Sequence, residues 1–117
     1  MEILIIEDNA AMGRLIRSLI SDLADTIHEC EDGAQALTAY QRRRPDWVLM
    51  DIKMPGLDGI AASSQITPAD PEAKIVIVTD YDDERLRAAA RNAGAREFVS
   101  KERLLDLRPI LSGHERQ

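Results

Sequence analysis

The sequence predicts an α/β fold in which a parallel five-stranded sheet is covered by helices on both faces. Two observations carry this prediction. Five short strand-like segments alternate along the chain with five segments of helical periodicity. The clearest strands are apolar throughout rather than alternating, which is typical of strands buried on both faces. One doubly wound domain over residues 1–117 fits this pattern, with the expected strand order 2-1-3-4-5.

The first, third and fourth strands are predicted from short apolar runs, and the second and fifth are shorter segments of mixed polarity between the predicted helices. The first segment is rich in isoleucine, and the fourth, with the sequence Lys-Ile-Val-Ile-Val-Thr, is the clearest of the five. The predicted strands cover residues 2–6, 26–30, 47–50, 74–79 and 97–100.

Each helix is predicted from apolar residues that recur at steps of three and four, and from capping residues at its ends. Asn9 precedes a first apolar stripe that runs to residue 23, and a second stripe ends before Pro45. Asp58 is expected to cap a third helix that reaches about Ile66 and ends before Pro68.

Two further helices complete the pattern. Asp82 or Asp83 is expected to cap the fourth helix, and Gly94 stands where a glycine commonly follows a helix end. A closing helix is predicted over residues 104–111, with Pro109 as a point where it bends or splits.

Composition excludes several classes of protein. The net charge of −6 argues against a free-standing nucleic-acid binder, which usually needs a basic face. Cys30 is the only cysteine, so no internal disulfide can form, and the chain suits a reducing compartment. The sequence shows no signal-peptide pattern and no apolar stretch of membrane-spanning length. We therefore expect a cytoplasmic protein without membrane contact.

Charged and hydroxyl side chains follow the predicted strands. Glu7 and Asp8 come after the first strand, Asp51 after the third, Thr79 at the end of the fourth and Lys101 after the fifth. In this strand order, the carboxyl ends of the first and third strands are neighbours at the switch point where ligands bind. We therefore expect the three acids to meet there.

This set of side chains predicts phosphoryl transfer. Carboxylates so close together repel one another unless a cation relieves them, and Mg²⁺ prefers oxygen ligands of this kind. Lys101 supplies a second positive charge, and Thr79 supplies a hydroxyl donor to a phosphoryl oxygen. Asp51 is then the nucleophile that accepts the phosphoryl group.

Each residue also has a plain structural explanation when it is taken alone. Asp8 would favour the positive end of the first helix, and Lys101 would be a solvated lysine before the last one. The functional interpretation depends on the joint pattern, because several independent accidents at one sheet edge are less plausible than one site.

The joint pattern resembles the receiver domain of two-component response regulators, and the resemblance covers essentially the whole chain. It implies the flavodoxin-like arrangement of the doubly wound sheet. The matching motifs are Ile-Ile-Glu-Asp-Asn at residues 5–9, Asp-Ile-Lys-Met-Pro-Gly-Leu-Asp-Gly at 51–59, Val-Ile-Val-Thr at 76–79 and Phe-Val-Ser-Lys at 98–101.

The resemblance implies that Asp51 accepts a phosphoryl group from a sensor histidine kinase or a histidine phosphotransfer protein. Thr79 and Lys101 would contact the phosphoryl oxygens. The domain would catalyse only its own phosphorylation and dephosphorylation, without turning over a metabolite. The implied ligands of Mg²⁺ are Asp8, Asp51 and the backbone carbonyl of Lys53, with Glu7 nearby.

Phe98 occupies the position of the family's switch aromatic, three residues before Lys101. Its ring would report a shift of Thr79 to the face formed by the fourth helix, fifth strand and fifth helix, where a partner or a second copy would bind. The chain is either a complete single-domain regulator or the receiver of a longer protein. A DNA-binding output domain in such a parent stays open, although this domain itself is not expected to bind nucleic acid.

Three residues depart from or tune the family's pattern. Asp80 follows Thr79 where the family usually has a small residue, and we expect it to hinder small phosphate donors. Lys53 and Tyr81 occupy positions that tune loss of the phosphoryl group, and their bulk suggests a long-lived phosphate.

Two alternatives remain at this point. One is a Mg²⁺-dependent phosphatase with an aspartyl nucleophile, although Lys53 stands where that class usually has a second acid. The other is a receiver-like interaction module that works without phosphate.

Overall fold

The centre of the fold is a sheet of five parallel strands in a computed structural model, which describes residues 1–113. The strand order β2-β1-β3-β4-β5 confirms the doubly wound prediction. β2 and β5 form the two edges, and the three central strands are buried on both faces. The strands are β1 Glu2–Ile6, β2 Thr26–Cys30, β3 Trp47–Met50, β4 Ile75–Thr79 and β5 Glu97–Ser100.

Five α-helices cover the sheet in two layers. α2, α3 and α4 pack on one face, where Ile66 belongs to the same apolar cluster as Ile6 and Ile77. α1 and α5 pack on the other face, where Ile16 and Leu107 belong to the second apolar cluster. The helices are α1 Ala10–Ile20, α2 Ala36–Arg43, α3 Gly59–Ala69, α4 Glu84–Asn92 and α5 Leu107–Ser112.

The predicted capping residues are confirmed. Side chains of Asn9, Asp58 and Asp83 each accept a hydrogen bond of 2.9 Å from the backbone N–H three residues later. These bonds satisfy N–H groups that have no partner inside the helix. Of the two candidates for α4, Asp83 is therefore the cap. Gly94 follows α4 with a φ of +105°, as a terminating glycine does.

The prediction that the third helix ends before Pro68 is wrong, because α3 continues through this proline to Ala69. A proline removes one backbone donor from a helix. Here the next bond is made, since Asp70 N–H donates to the Ile66 carbonyl at 2.9 Å. The Thr67 hydroxyl also donates to the Ala93 carbonyl at 2.7 Å, which ties this end of α3 to the end of α4. Tertiary contacts therefore outweigh the lost bond.

The closing helix also differs from the prediction. Residues 101–106 form 3₁₀ turns with a non-helical residue, Arg103, at φ −133°, and the α-helix begins only at Leu107. Pro109 lies in the first turn of α5, where its missing N–H removes no helical hydrogen bond. The expected bend or split at Pro109 is therefore wrong, and the interruption comes earlier.

One polar contact joins α2 to the segment after α3. The Tyr40 hydroxyl donates to Asp70 Oδ2 at 2.6 Å, while the Tyr40 ring is buried in the core. Burial, reinforced by this bond, raises the pKa of Tyr40 to about 12. No helix within residues 1–113 is long and apolar enough to cross a membrane.

Candidate functional site

The carboxyl ends of β1 and β3 bring three acids together, as the sequence predicts. β1 and β3 pair in parallel register with Ile6 opposite Met50, so the residues that follow each strand are neighbours. Asp51 N–H donates to the Ile6 carbonyl at 3.0 Å, which holds the start of the next loop against β1. Glu7, Asp8 and Asp51 each offer a carboxylate oxygen, and these oxygens lie within 4.8 Å of one another.

Lys101 lies between two of these acids. Its Nζ is 2.9 Å from Glu7 Oε1 and 3.1 Å from Asp51 Oδ2. The side chains of Lys101 and Asp51 are each 8% exposed and that of Glu7 is 2% exposed, so solvent screens these contacts weakly. Lys101, which directly follows β5, therefore lies next to Asp51, the nucleophile predicted from the sequence.

The charges of the cluster shift the affinity of its groups for protons. Burial raises the pKa of Glu7, and the Asp51 charge adds to this, while Lys101 and the Asn9 N–H oppose it. Burial alone would lower the pKa of Lys101, but its contacts with Glu7 and Asp51 outweigh burial and hold this pKa above its ordinary value. Lys101 therefore stays charged between the acids.

The donor set fits a hard divalent cation. Within residues 1–113, Glu7 Oε1 is the one buried side-chain oxygen or nitrogen without a hydrogen-bond partner, because the nearby Lys101 ammonium approaches outside hydrogen-bond geometry. Asp8 is exposed and presents its carboxylate at the open side of the cluster. Carboxylate oxygens that are partly solvated in this way are the ligands that Mg²⁺ prefers.

The segment that follows Asp51, residues 51–58, is called the β3–α3 loop. Asp51 Oδ1 accepts a hydrogen bond from Ile52 N–H at 2.8 Å, and Gly59 N–H closes the loop on the Ile52 carbonyl at 2.8 Å. Gly59 is packed so tightly that a Cβ there would overlap the carbonyl oxygen of Asp51. No sequence pattern predicted this role of Gly59, because it depends on how closely the Asp51 backbone approaches.

Thr79 is the last residue of β4, which pairs with β3, and Asp80 follows it. Thr79 is fully buried, and its Oγ1 accepts a hydrogen bond from Tyr81 N–H at 3.2 Å. Asp80 is exposed, and it lines a cleft together with Lys101 and the α1 side chain of Met12. An exposed acid and Lys101 therefore line the same cleft.

The side chains of Lys53 and Tyr81 are in contact, although no sequence pattern predicted this contact. The Lys53 ammonium lies 5.2 Å from the centroid of the Tyr81 ring, within range of a cation–π contact. Tyr81 is 49% exposed although it is a large aromatic residue. This pair joins the β3–α3 loop to the segment after β4.

Phe98 lies on β5, opposite Ile77 of β4, and packs against the core cluster under α2, α3 and α4. The Arg87 guanidinium covers its ring at 4.7 Å from the centroid. Arg87 Nε in turn donates to Asp82 Oδ1 at 2.7 Å. A chain of contacts thus leads from the segment after β4 to the predicted switch residue.

The chain belongs to the response regulator receiver domain family, whose family model matches residues 3–109. Chemotaxis protein CheY of Bacillus subtilis (strain 168) is 37% identical over 100 residues, which are 85% of this chain and 83% of that protein.

Solved receiver structures are similar over nearly the whole chain. A crystal structure of the CheX-CheY-BeF3-Mg+2 complex from Borrelia burgdorferi has a TM-score of 0.88 and 25% identity, covering 97% of this chain and 88% of that one. The receiver domain of sensor histidine kinase PA1611 from Pseudomonas aeruginosa PAO1 has a TM-score of 0.84 and 28% identity, covering 96% and 94%. That second structure has a magnesium ion coordinated in its active site cleft.

Proposed function

We propose that this chain is a cytoplasmic phosphorylation-controlled switch in which Asp51 is the phosphoacceptor. The observation that carries the proposal is the position of Asp51, a nearly buried carboxylate 3.1 Å from Lys101 and clustered with Glu7 and Asp8. The donor is a phosphohistidine of a sensor histidine kinase or a histidine phosphotransfer protein.

The proposed step transfers a phosphoryl group without a change of redox state. An oxygen of Asp51 bonds to phosphorus while the bond from phosphorus to the donor nitrogen breaks, and that nitrogen keeps the electron pair. The product is an acyl phosphate on Asp51. Lys101 faces the charge that gathers on the phosphoryl oxygens, and the Thr79 hydroxyl donates to one of them.

Asp8, Asp51 and the Lys53 carbonyl are the proposed ligands of Mg²⁺, with Glu7 beside them. The ion, when bound, neutralises charge on the incoming phosphoryl oxygens. The residues of the chain would hold it next to the nucleophile, and the Lys101 ammonium, 3.1 Å from Asp51 Oδ2, is close enough to contact the phosphate as well.

The output of the switch is proposed to leave through Thr79 and Phe98. If the Thr79 hydroxyl turns to the phosphoryl group, it gives up its bond to Tyr81 N–H. Phe98, and the Arg87 guanidinium that lies over its ring, belong to the face formed by α4, β5 and α5. This face is the proposed docking surface for a partner or for a second copy of the chain.

Intact-protein mass measurement after incubation with acetyl phosphate and Mg²⁺ tests the proposal. We expect one phosphoryl group on the wild type and none on Asp51→Asn. Asp58→Asn is the matched control, because it alters an acid of the same loop while asparagine still caps α3. Rapid turnover without an adduct would favour the phosphatase, and no reaction would favour the phosphate-independent module.

Asp80→Ala is expected to be phosphorylated severalfold faster than the wild type by small anionic donors, because the exposed carboxylate beside Lys101 repels them. Asp80→Asn separates charge from bulk. Rates are best followed by mass, since Trp47 lies at the other end of β3, about 13 Å along the strand from Asp51. Equal rates for the wild type and Asp80→Ala would contradict the expectation.

The lifetime of the phosphorylated state is expected to shorten in Lys53→Ala and in Tyr81→Ala, since the paired side chains restrict hydrolytic water. Because the two form one cation–π contact, the double variant should lose less than the sum of the two effects. Lys74→Ala is the control, since it removes a similar contact with Trp47 at the far end of the sheet. An unchanged or longer lifetime in the single variants would oppose this role.

A further inference from the structure

The β3–α3 loop lies directly against the connection between β2 and α2, residues 31–35, which is called the β2–α2 turn. Gly33 of this turn is buried. A Cβ at Gly33 would overlap the carbonyl oxygen of Leu57 and would lie 2.8 Å from the Leu57 carbonyl carbon and 3.2 Å from Met54 Cε. The two backbones therefore touch at a point where no side chain fits between them.

A second contact holds the same two segments together. Gly56 has a φ of +81°, and a Cβ there would lie 2.8 Å from Asp32 Oδ1. That oxygen also accepts a hydrogen bond of 2.8 Å from Ala34 N–H, which fixes the shape of the β2–α2 turn. The β3–α3 loop is thus in contact with the turn at both Gly56 and Leu57.

The two ends of the loop are anchored by backbone hydrogen bonds, but the Lys53 carbonyl, the proposed Mg²⁺ ligand, lies between them. The middle of the loop therefore needs a support of its own. Asp51 is held on β1 and Gly59 is held on Ile52. Lys53, whose carbonyl is the proposed ligand, lies between these anchors and the contact with Gly33. Metal ligands on a loop are only as well placed as the residues that support them.

We propose that Gly33 is a positioning residue for the phosphoacceptor site, acting by letting the β3–α3 loop rest on the β2–α2 turn. This inference rests on the proposed function, because it concerns the loop ligand of the same site. A side chain at residue 33 pushes Leu57 outward, and the loop follows. Asp51, the first residue of the loop, stays in place because its N–H is bonded to the Ile6 carbonyl of β1, and Glu7 and Lys101 stay at the ends of β1 and β5. The acidic cluster is then retained while the loop ligand is lost.

The test compares Gly33→Ala with Gly94→Ala. Gly94 is the matched control, because a Cβ there would overlap the Thr67 hydroxyl and lie 2.8 Å from Thr67 Cγ2, and its φ is +105°. It precedes β5, so its strain falls at the opposite edge of the sheet. We expect the affinity for Mg²⁺, measured by titration calorimetry, to fall about tenfold in Gly33→Ala and not in Gly94→Ala.

Two further readouts separate positioning from plain destabilisation. Hydrogen exchange of the amides in residues 53–57 should become faster in Gly33→Ala but not in Gly94→Ala. The phosphorylation rate of Gly33→Ala should recover as Mg²⁺ is raised, because the nucleophile and Lys101 are unchanged. Equal Mg²⁺ affinity and equal loop exchange in the two variants would overturn the inference.

A milder pair of variants keeps the test decisive if Gly33→Ala does not fold. Asp32→Ala removes the oxygen that shapes the turn, whereas Asp32→Asn keeps an acceptor without the charge. Faster loop exchange and weaker Mg²⁺ binding only in Asp32→Ala support positioning, and the same change in both points to charge and overturns it. If the wild type takes no phosphate while loop exchange responds as expected, the proposed function fails and the support of the loop by the turn stands.

Discussion

Replacing Lys101 by methionine is expected to slow phosphorylation of Asp51 by about 100- to 1,000-fold, the usual cost of losing one group that faces developing charge. Methionine keeps much of the volume of the lysine stem but removes the ammonium 3.1 Å from Asp51 Oδ2. Within residues 1–113, no other cationic side chain lies within 4.0 Å of the carboxylates of Asp51 and Glu7.

The same substitution is expected to lower the free energy of unfolding by about 3 kcal/mol in buffer without Mg²⁺, because it leaves Glu7 and Asp51 buried without their counter-charge. Added Mg²⁺ should then stabilise Lys101→Met more than it stabilises the wild type, since the ion relieves the same repulsion. Urea denaturation with and without Mg²⁺ measures both effects.

Lys74→Met is the matched control for Lys101→Met. It makes the same chemical change at a lysine whose ammonium lies 4.9 Å from the Trp47 ring, at the amino end of the strands. The control should keep the wild-type phosphorylation rate and its response to Mg²⁺. A rate for Lys101→Met within threefold of the control would contradict the role given to the ammonium.

Gly59→Ala is expected to lower the free energy of unfolding by about 3 kcal/mol, at the upper end of the usual cost of overpacking. The added methyl group would overlap the Asp51 carbonyl and lie 2.9 Å from Met50 Cγ, so α3 must move away from β3. Urea denaturation measures this loss, and phosphorylation of Asp51 should slow with it because the same backbone carries the nucleophile.

Gly113→Ala is the control for Gly59→Ala. Its φ is +79°, and nothing lies within 4 Å of a Cβ built there, so it reports backbone strain without crowding. Left-handed backbone at a residue with a side chain costs about 1 kcal/mol. Equal losses of stability in the two variants would show that Gly59 is not packed as the structure has it.

Much of the fold could be predicted from the sequence because local signals and the final structure agree. Apolar runs set β1 and β3 at the predicted residues, and Asn9 and Asp58 cap their helices as expected. The two errors that involve proline share one cause. Proline was treated as a local helix breaker, but contacts made by Thr67 and Ile66 carry α3 past Pro68, and Pro109 falls where a helix tolerates it.

The residues of the candidate site were also predictable, since each follows a strand and the strand order brings strand ends together. Their contacts were not. Sequence patterns did not show that Lys101 bridges Glu7 and Asp51, or that Lys53 stacks on Tyr81. The supporting glycines were missed because their role is to have no side chain, which only the approach of another backbone reveals.

The sequence by itself determined the parallel sheet, its strand order and the acids, hydroxyl and lysine at its carboxyl edge. These depend on hydrophobic periodicity and on residues adjacent in the chain. The tertiary structure decided the ion pairs of Lys101, the cation–π contacts over Tyr81 and Phe98, and the contact of the β3–α3 loop with Gly33. The physical reason is that these contacts join residues far apart in sequence, so they exist only once the sheet has fixed the distances between them.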